Sequence, residues 1–200
     1  PKPEACFDAG WLALRRAADS AARARELERC AADWLRQRRI GAPQDRPLRL
    51  VDLGCGSGAN PCHLATRLPG PQQWTLIDHD PGLLAHAHAA CAGLRDTAGE
   101  PARVATRCQD LARLDGHALA GTDLVCASAL LDLVDAAWLD RLADACAATG
   151  SALLVTLSVD GHWCFRPDTA DGPTDAVPGP ADRSVDPAAD AATEAAAEAP

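Results

Sequence analysis

Leu48-Arg49-Leu50-Val51-Asp52-Leu53-Gly54-Cys55-Gly56-Ser57-Gly58-Ala59-Asn60-Pro61 is the stretch that decides the fold. Its first six residues are a short, mostly apolar run of the kind that forms a buried strand. The run leads straight into three alternate glycines. Glycine suits a loop that turns sharply and lets a ligand touch backbone. Asn60 then reads as an N-cap and Pro61 as a first helical residue, where its missing N–H is harmless, so a helix is expected over 61–68. The start of such a helix offers unpaired N–H groups and partial positive charge. In a doubly wound sheet, a strand–glycine–helix turn lies at the carboxyl-end crevice where ligands bind.

Outward from this turn the pattern repeats. Trp74–Asp78 reads as a second strand, and Asp80 and Pro81 as cap and first residue of a helix ending near Leu94. Arg103–Cys108 is a third strand, Asp123–Ala127 a fourth and Ser151–Leu157 a fifth. Between the last two, a helix over 136–148 carries Trp138, Leu139, Leu142 and Cys146 on one face. Strands that alternate with helices and are apolar on both faces imply a parallel sheet covered on both sides. Upstream, residues 8–39 read as helix, with Asp19-Ser20 a candidate break. The fold class is therefore α/β, a doubly wound and mainly parallel sheet. A helical cap is expected over 1–45, a Rossmann-like domain over 46–166 and a disordered Pro/Ala-rich tail over 167–200.

Composition narrows the function. The chain has 200 residues, 48% of them hydrophobic, enough for one domain with a real core. Its net charge is −9, but the stretch 168–200 holds eight acids against Arg183, a balance of −7, and leaves the body near neutral. That charge speaks against a nucleic-acid partner. No stretch approaches the roughly 18–20 apolar residues of a membrane span, and no basic-then-apolar leader opens the chain, so a cytoplasmic protein is expected. The nine cysteines are scattered, odd in number and without a C-x-x-C pair, and read as free thiols. His86 and His88 point to different faces of their helix, and no metal is expected.

Two ligand classes use such a loop. Gly54-x-Gly56-x-x-Ala59 fits the dinucleotide fingerprint loosely. Asp52, two residues before the first glycine, gives a pyrophosphate nothing but suits a cationic amino group. In these residues the chain resembles the class I S-adenosylmethionine-dependent methyltransferases. Asp52-x-Gly54-x-Gly56-x-Gly58 matches their first motif, and the resemblance implies that this loop wraps the methionyl and ribose part of S-adenosyl-L-methionine. It further implies that Asp78, at the end of the second strand, takes the ribose hydroxyls, with His79 beside it. Asp110 and Leu111, after the third strand, match the adenine-side motif. The end of the fourth strand, at Ser128, is where the family presents the transferred methyl group. The likeness covers about residues 46–160, and Trp11 to Arg23 is similar to the helical cap of a bacterial small-molecule subfamily.

The function these residues imply is methyl transfer to a small soluble acceptor. The family carries an antiparallel strand pair after the fifth strand, and only residues 158–165 precede the tail here. The hairpin is expected to be missing, strand five to be an exposed edge, and part of the substrate pocket to be lost with the hairpin. A non-catalytic or truncated cofactor-binding domain is the first alternative, and an NAD(P)-dependent oxidoreductase the second. No catalytic residue is assigned. Arg15, Asp19 and Arg23 are spaced to share a helical face, either as an ion-pair ladder or with an arginine meeting a carboxylate of the ligand. Asp132 is expected to begin or cap a helix, with a general base as the other reading. Trp11 and Trp163 are expected in the core, or else in an acceptor pocket.

Overall fold

The computed structural model describes residues 8–43, 45–114 and 116–157. The expected tail, the missing hairpin, Trp163, His162, Cys6 and Cys164 lie outside these residues. Among the described residues, five strands form one sheet: β1 (Leu48–Leu53), β2 (Gln72–Asp78), β3 (Arg103–Cys108), β4 (Leu124–Ser128) and β5 (Ala152–Thr156). Their order is β3-β2-β1-β4-β5 and every pairing is parallel. The chain thus winds outward from β1 in one direction and from β4 in the other. The reversal between these two strands opens a crevice at their carboxyl ends.

Helices cover both faces. α2 (Arg25–Arg38), α3 (Ala59–Leu64) and α4 (Pro81–Cys91) lie on one side, where Leu35, Leu64 and Ala87 pack with Leu50, Trp74 and Leu76. α5 (Ala136–Thr149) lies on the other, where Trp138, Leu142 and Cys146 meet Val51, Ile77 and Val125. Both faces of β1, β2 and β4 therefore pack against helices over most of their length, which is why these strands read as mostly apolar. The polar Gln72 is tolerated inside because its amide donates to the carbonyls of Ala65 and Leu68 at 2.9 and 2.8 Å and its oxygen accepts from the Trp74 indole at 2.8 Å.

Three expectations need correction. Residues 8–39 are two helices, α1 (Ala9–Ala21) and α2, and the break falls after Ala21 rather than at Asp19-Ser20. The helix after the glycines starts at Ala59, with Gly58 as its left-handed cap, so Asn60 lies inside it and caps nothing. Its carboxamide serves a buried carboxylate instead. Finally, β3 is not covered on both sides. It is an outer strand, and only Val104 packs, partly buried, against the core. The exposed Arg103 and Arg107 blunt that edge against pairing with another chain. β5 is the other outer strand among the described residues.

Candidate functional site

The register fixes the geometry of the crevice. Leu53 stands opposite Ile77 on one side and Ala127 on the other. The next residue of each strand, Gly54, Asp78 and Ser128, therefore arrives at the same edge. From there the chain turns through Gly54 (φ +63°), Gly56 (φ +50°) and Gly58 (φ +80°). The walls around this loop are apolar. A side chain at Gly54 would press on Leu130 at 3.2 Å and touch Leu111 at 3.7 Å; one at Gly56 would touch Leu12 of α1 at 3.5 Å. The loop is held from below as well, by the Cys55 N–H donating to the Ile77 carbonyl at 3.1 Å.

Two carboxylates stand under the loop. Asp52 is fully buried, and its Oδ1 accepts from the Asn60 amide at 2.5 Å. Its Oδ2 is buried with no hydrogen-bond partner. Burial, only partly opposed by the Asn60 bond and by Arg23, raises its pKa from 3.8 to about 7. Asp78 is also buried, and braces the turn: Oδ2 accepts from the Gly56 N–H at 2.8 Å and Oδ1 from the Asp80 N–H at 3.0 Å. Each of its oxygens still has a second lone pair for a hydroxyl donor. His79 is half exposed beside it, with Nδ1 at 3.4 Å from Asp78 Oδ1.

A cation closes the network from the other end of the chain. Arg23 lies in the connector between α1 and α2, past the end of α1, so it does not share a helical face with Arg15 and Asp19. Those two form an ion pair at 3.1 Å without it. Arg23 Nη1 donates to Asn60 Oδ1 at 2.7 Å and Nη2 to Ser128 Oγ at 3.3 Å. Asn60 thus links a buried carboxylate to a half-buried guanidinium, while Arg23 reaches the tip of β4. No sequence signal marked Asn60 for this task beyond its place after the glycines.

Other candidates are placed differently. The Asp110 carboxylate is exposed and accepts from the Ala112 N–H at 2.9 Å, capping a 3₁₀ turn at Leu111–Arg113. Leu111 faces the loop, its carbonyl held by the Trp138 indole at 2.7 Å. Asp132 is exposed and does not cap α5; Asp135 does, accepting from the Trp138 N–H at 2.7 Å. Trp11 is neither core nor buried pocket wall. It is exposed, with the Arg15 guanidinium 4.8 Å from its ring centre. Among the described residues, no three His, Cys, Asp or Glu side chains are grouped to hold a metal ion, and no helix is long and apolar enough to cross a membrane.

The arrangement can therefore offer one unpaired buried acceptor, a carboxylate with spare lone pairs and a bare backbone loop to a single ligand. A family described as a methyltransferase domain matches residues 50–150. No match was found among the curated proteins. Of solved structures, the chain is similar to the plantazolicin methyltransferase BpumL in complex with SAH, with 19% identity over 64% of this chain and 47% of that one, at a TM-score of 0.38. It is also similar to EvdMO1 (25% identity, 57% and 26% covered, TM-score 0.39) and to the mitomycin 7-O-methyltransferase MmcR (18%, 71% and 35%, 0.44). The chain spans less than half the length of each of these three.

Proposed function

The chain belongs to the methyltransferase-domain family, and from that premise we propose that it binds S-adenosyl-L-methionine and transfers its methyl group to a small soluble acceptor. The observation that carries this reading is Asp52, a buried carboxylate with an unpartnered oxygen directly before the glycine loop. A ligand with a cationic amino group would satisfy that oxygen; a pyrophosphate would not. Asp78 is the acceptor for paired ribose hydroxyls, Gly54, Gly56 and Gly58 let the ligand lie against backbone, and His79 and Leu111 flank it. Asp110 takes part only if its carboxylate leaves its capping role.

The sulfonium of the bound cofactor supplies an already activated methyl group. The chain's own tasks are then to align an acceptor and to exclude water. Leu12, Leu111 and Leu130 wall the loop and serve the second task. Arg23 and Ser128, at the tip of β4, stand where an acceptor is to be oriented. The two N-terminal helices, α1 and α2, act as a cap on the binding domain. The free thiols at Cys55, Cys62, Cys91, Cys126 and Cys146 are in keeping with a cytoplasmic location.

Calorimetry with S-adenosylhomocysteine and with NAD tests the reading. S-adenosylhomocysteine is expected to bind and NAD not to. Asp78→Ala is expected to weaken binding about tenfold or more, and Asp78→Asn less. Binding of NAD alone would overturn the proposal in favour of an oxidoreductase. Cofactor binding without transfer to any small acceptor would leave a non-catalytic binding domain.

A further inference from the structure

An open cavity of about 260 Å³ lies between the end of α1 and α3. Three guanidinium groups, from Arg16, Arg23 and Arg67, border it. In a chain of net charge −9, three cations around one hollow are a local concentration. Among the described lining residues the one carboxylate, Asp19, is ion-paired with Arg15.

Behind the cavity, the lining residues Ser20 and His63 start a hydrogen-bonded chain that ends on Glu28. Ser20 Oγ is 2.6 Å from His63 Nδ1, and His63 Nε2 is 2.6 Å from Glu28 Oε1. The His63 and Glu28 side chains are each about nine-tenths buried. The groups facing this imidazole are Ser20 of α1, Glu28 of α2, Arg23 of the connector and, from its own segment, Arg67, whose Nε is 3.5 Å from Glu28 Oε2. Burial, with help from Arg23 and Arg67, holds the His63 pKa below its usual value despite Glu28. A neutral ring has one proton, and facing a carboxylate it places that proton on Nε2. Nδ1 is then an acceptor, and the Ser20 hydroxyl donates its hydrogen bond to it. A protonated ring donates at both nitrogens. Ser20 Oγ then accepts from Nδ1, and its own O–H is released toward the cavity.

We infer that this cavity binds the oxyanion group, carboxylate or phosphate, of a small molecule, and that binding draws a proton onto His63 so that Ser20 becomes a donor to the anion. The coupling is reciprocal: the anion raises the affinity of His63 for its proton, and the proton tightens the anion. Arg23 joins this cavity to the tip of β4, which makes the occupant the anionic end of the methyl acceptor; that last step rests on the methyl-transfer reading.

Titration calorimetry of the full chain with succinate, inorganic phosphate and neutral succinamide tests it, in buffers of different ionisation heat. Succinate or phosphate is expected to bind with proton uptake, more weakly as pH rises from 7 to 8, and succinamide not to bind. The better of the two anions identifies the group. Arg16→Ala with Arg67→Ala is expected to weaken binding about tenfold or more. Ser20→Ala, which leaves the His63–Glu28 pair in place, is expected to weaken it several-fold and remove most of the proton uptake. Binding of neither anion, equal binding of succinamide, binding unchanged in the double arginine variant, or no proton uptake would each overturn the inference. Titration with S-adenosylhomocysteine separates the two proposals. Anion binding in a chain that does not bind it leaves this site standing and removes methyl transfer. The reverse result removes this site alone.

Discussion

Asp52 occupies a position that a carboxylate does not favour. It is fully buried, and one oxygen has no partner. Its folded-state pKa of about 7 lies above the usual 3.8, so between these values the folded protein holds a proton that the unfolded chain releases. Stability from this group is therefore greatest at low pH and declines as pH rises through that window. Asp52→Asn is expected to gain about 1–2 kcal/mol at pH 8 and to flatten the decline between pH 4 and 7, measured by urea unfolding. A loss of stability at pH 8 would show that the ionised carboxylate is already satisfied. The same substitution is expected to abolish S-adenosylhomocysteine binding. A second residue with its own prediction is Cys62. Its thiol is 3.7 Å from that of Cys91, and this hydrogen bond is the main cause that brings its pKa down from 9.0 to about 7. Burial pushes the thiols of Cys55, Cys126 and Cys146 up. Iodoacetamide at pH 7.5 is expected to alkylate Cys62 ahead of those three, and Cys91→Ser to slow it several-fold, read by peptide mass.

At the level of elements, the glycine loop depends on how closely α3 approaches α4. A Cβ on Gly58 would sit 3.0 Å from Cys91 Sγ and 3.1 Å from the Ala87 backbone, in a left-handed conformation (φ +80°). Gly58→Ala therefore combines backbone strain with overpacking, and a loss of about 3 kcal/mol is expected in chemical unfolding. Gly93, with nothing within 4 Å of its Cβ position, is the control: Gly93→Ala is expected to change stability by less than about 1 kcal/mol. The inner strands β1 and β4 are legible in the sequence because burial on both faces favours apolar residues, and α4 because Asp80-Pro81 marks a start by local chemistry. The site was legible only where a motif is contiguous. Asp52 and the glycines are neighbours in sequence; Asn60 was misread because its partner is a carboxylate on another element. Ser20, Glu28 and His63 gave no signal, since 43 and 35 residues separate the partners of its two hydrogen bonds. Asp132 and Asp135 are equally good caps by type, and only the position of the helix start decides between them.

Over the whole molecule, the two N-terminal helices are part of the site as well as its cover. Leu12 stands beside the glycine loop, where a side chain at Gly56 would meet it, Leu35 is in the core, and Arg23 bonds to both Asn60 and Ser128. Arg23→Ala is expected to cost about 1.5–3 kcal/mol in unfolding experiments, the value of a hydrogen bond to a charged group. It is also expected to weaken S-adenosylhomocysteine binding, because Asp52 and Asn60 lose the cation behind them. An unchanged affinity would confine Arg23 to the anion cavity. The bond from Arg23 to Ser128 also sets an order in time. It joins positions 105 residues apart, and a closure of that span is slow compared with the local helices and neighbouring strand pairs. On a ribosome, the glycine loop and its two carboxylates emerge well before β4 does. During that interval Arg23 and Asn60 are already made, but the half-built pocket lacks the β4 wall and the Ser128 hydroxyl that accepts from Arg23. A cofactor meeting the nascent chain then finds an incomplete site, and tight capture waits until the last third of the described chain has been synthesised and docked.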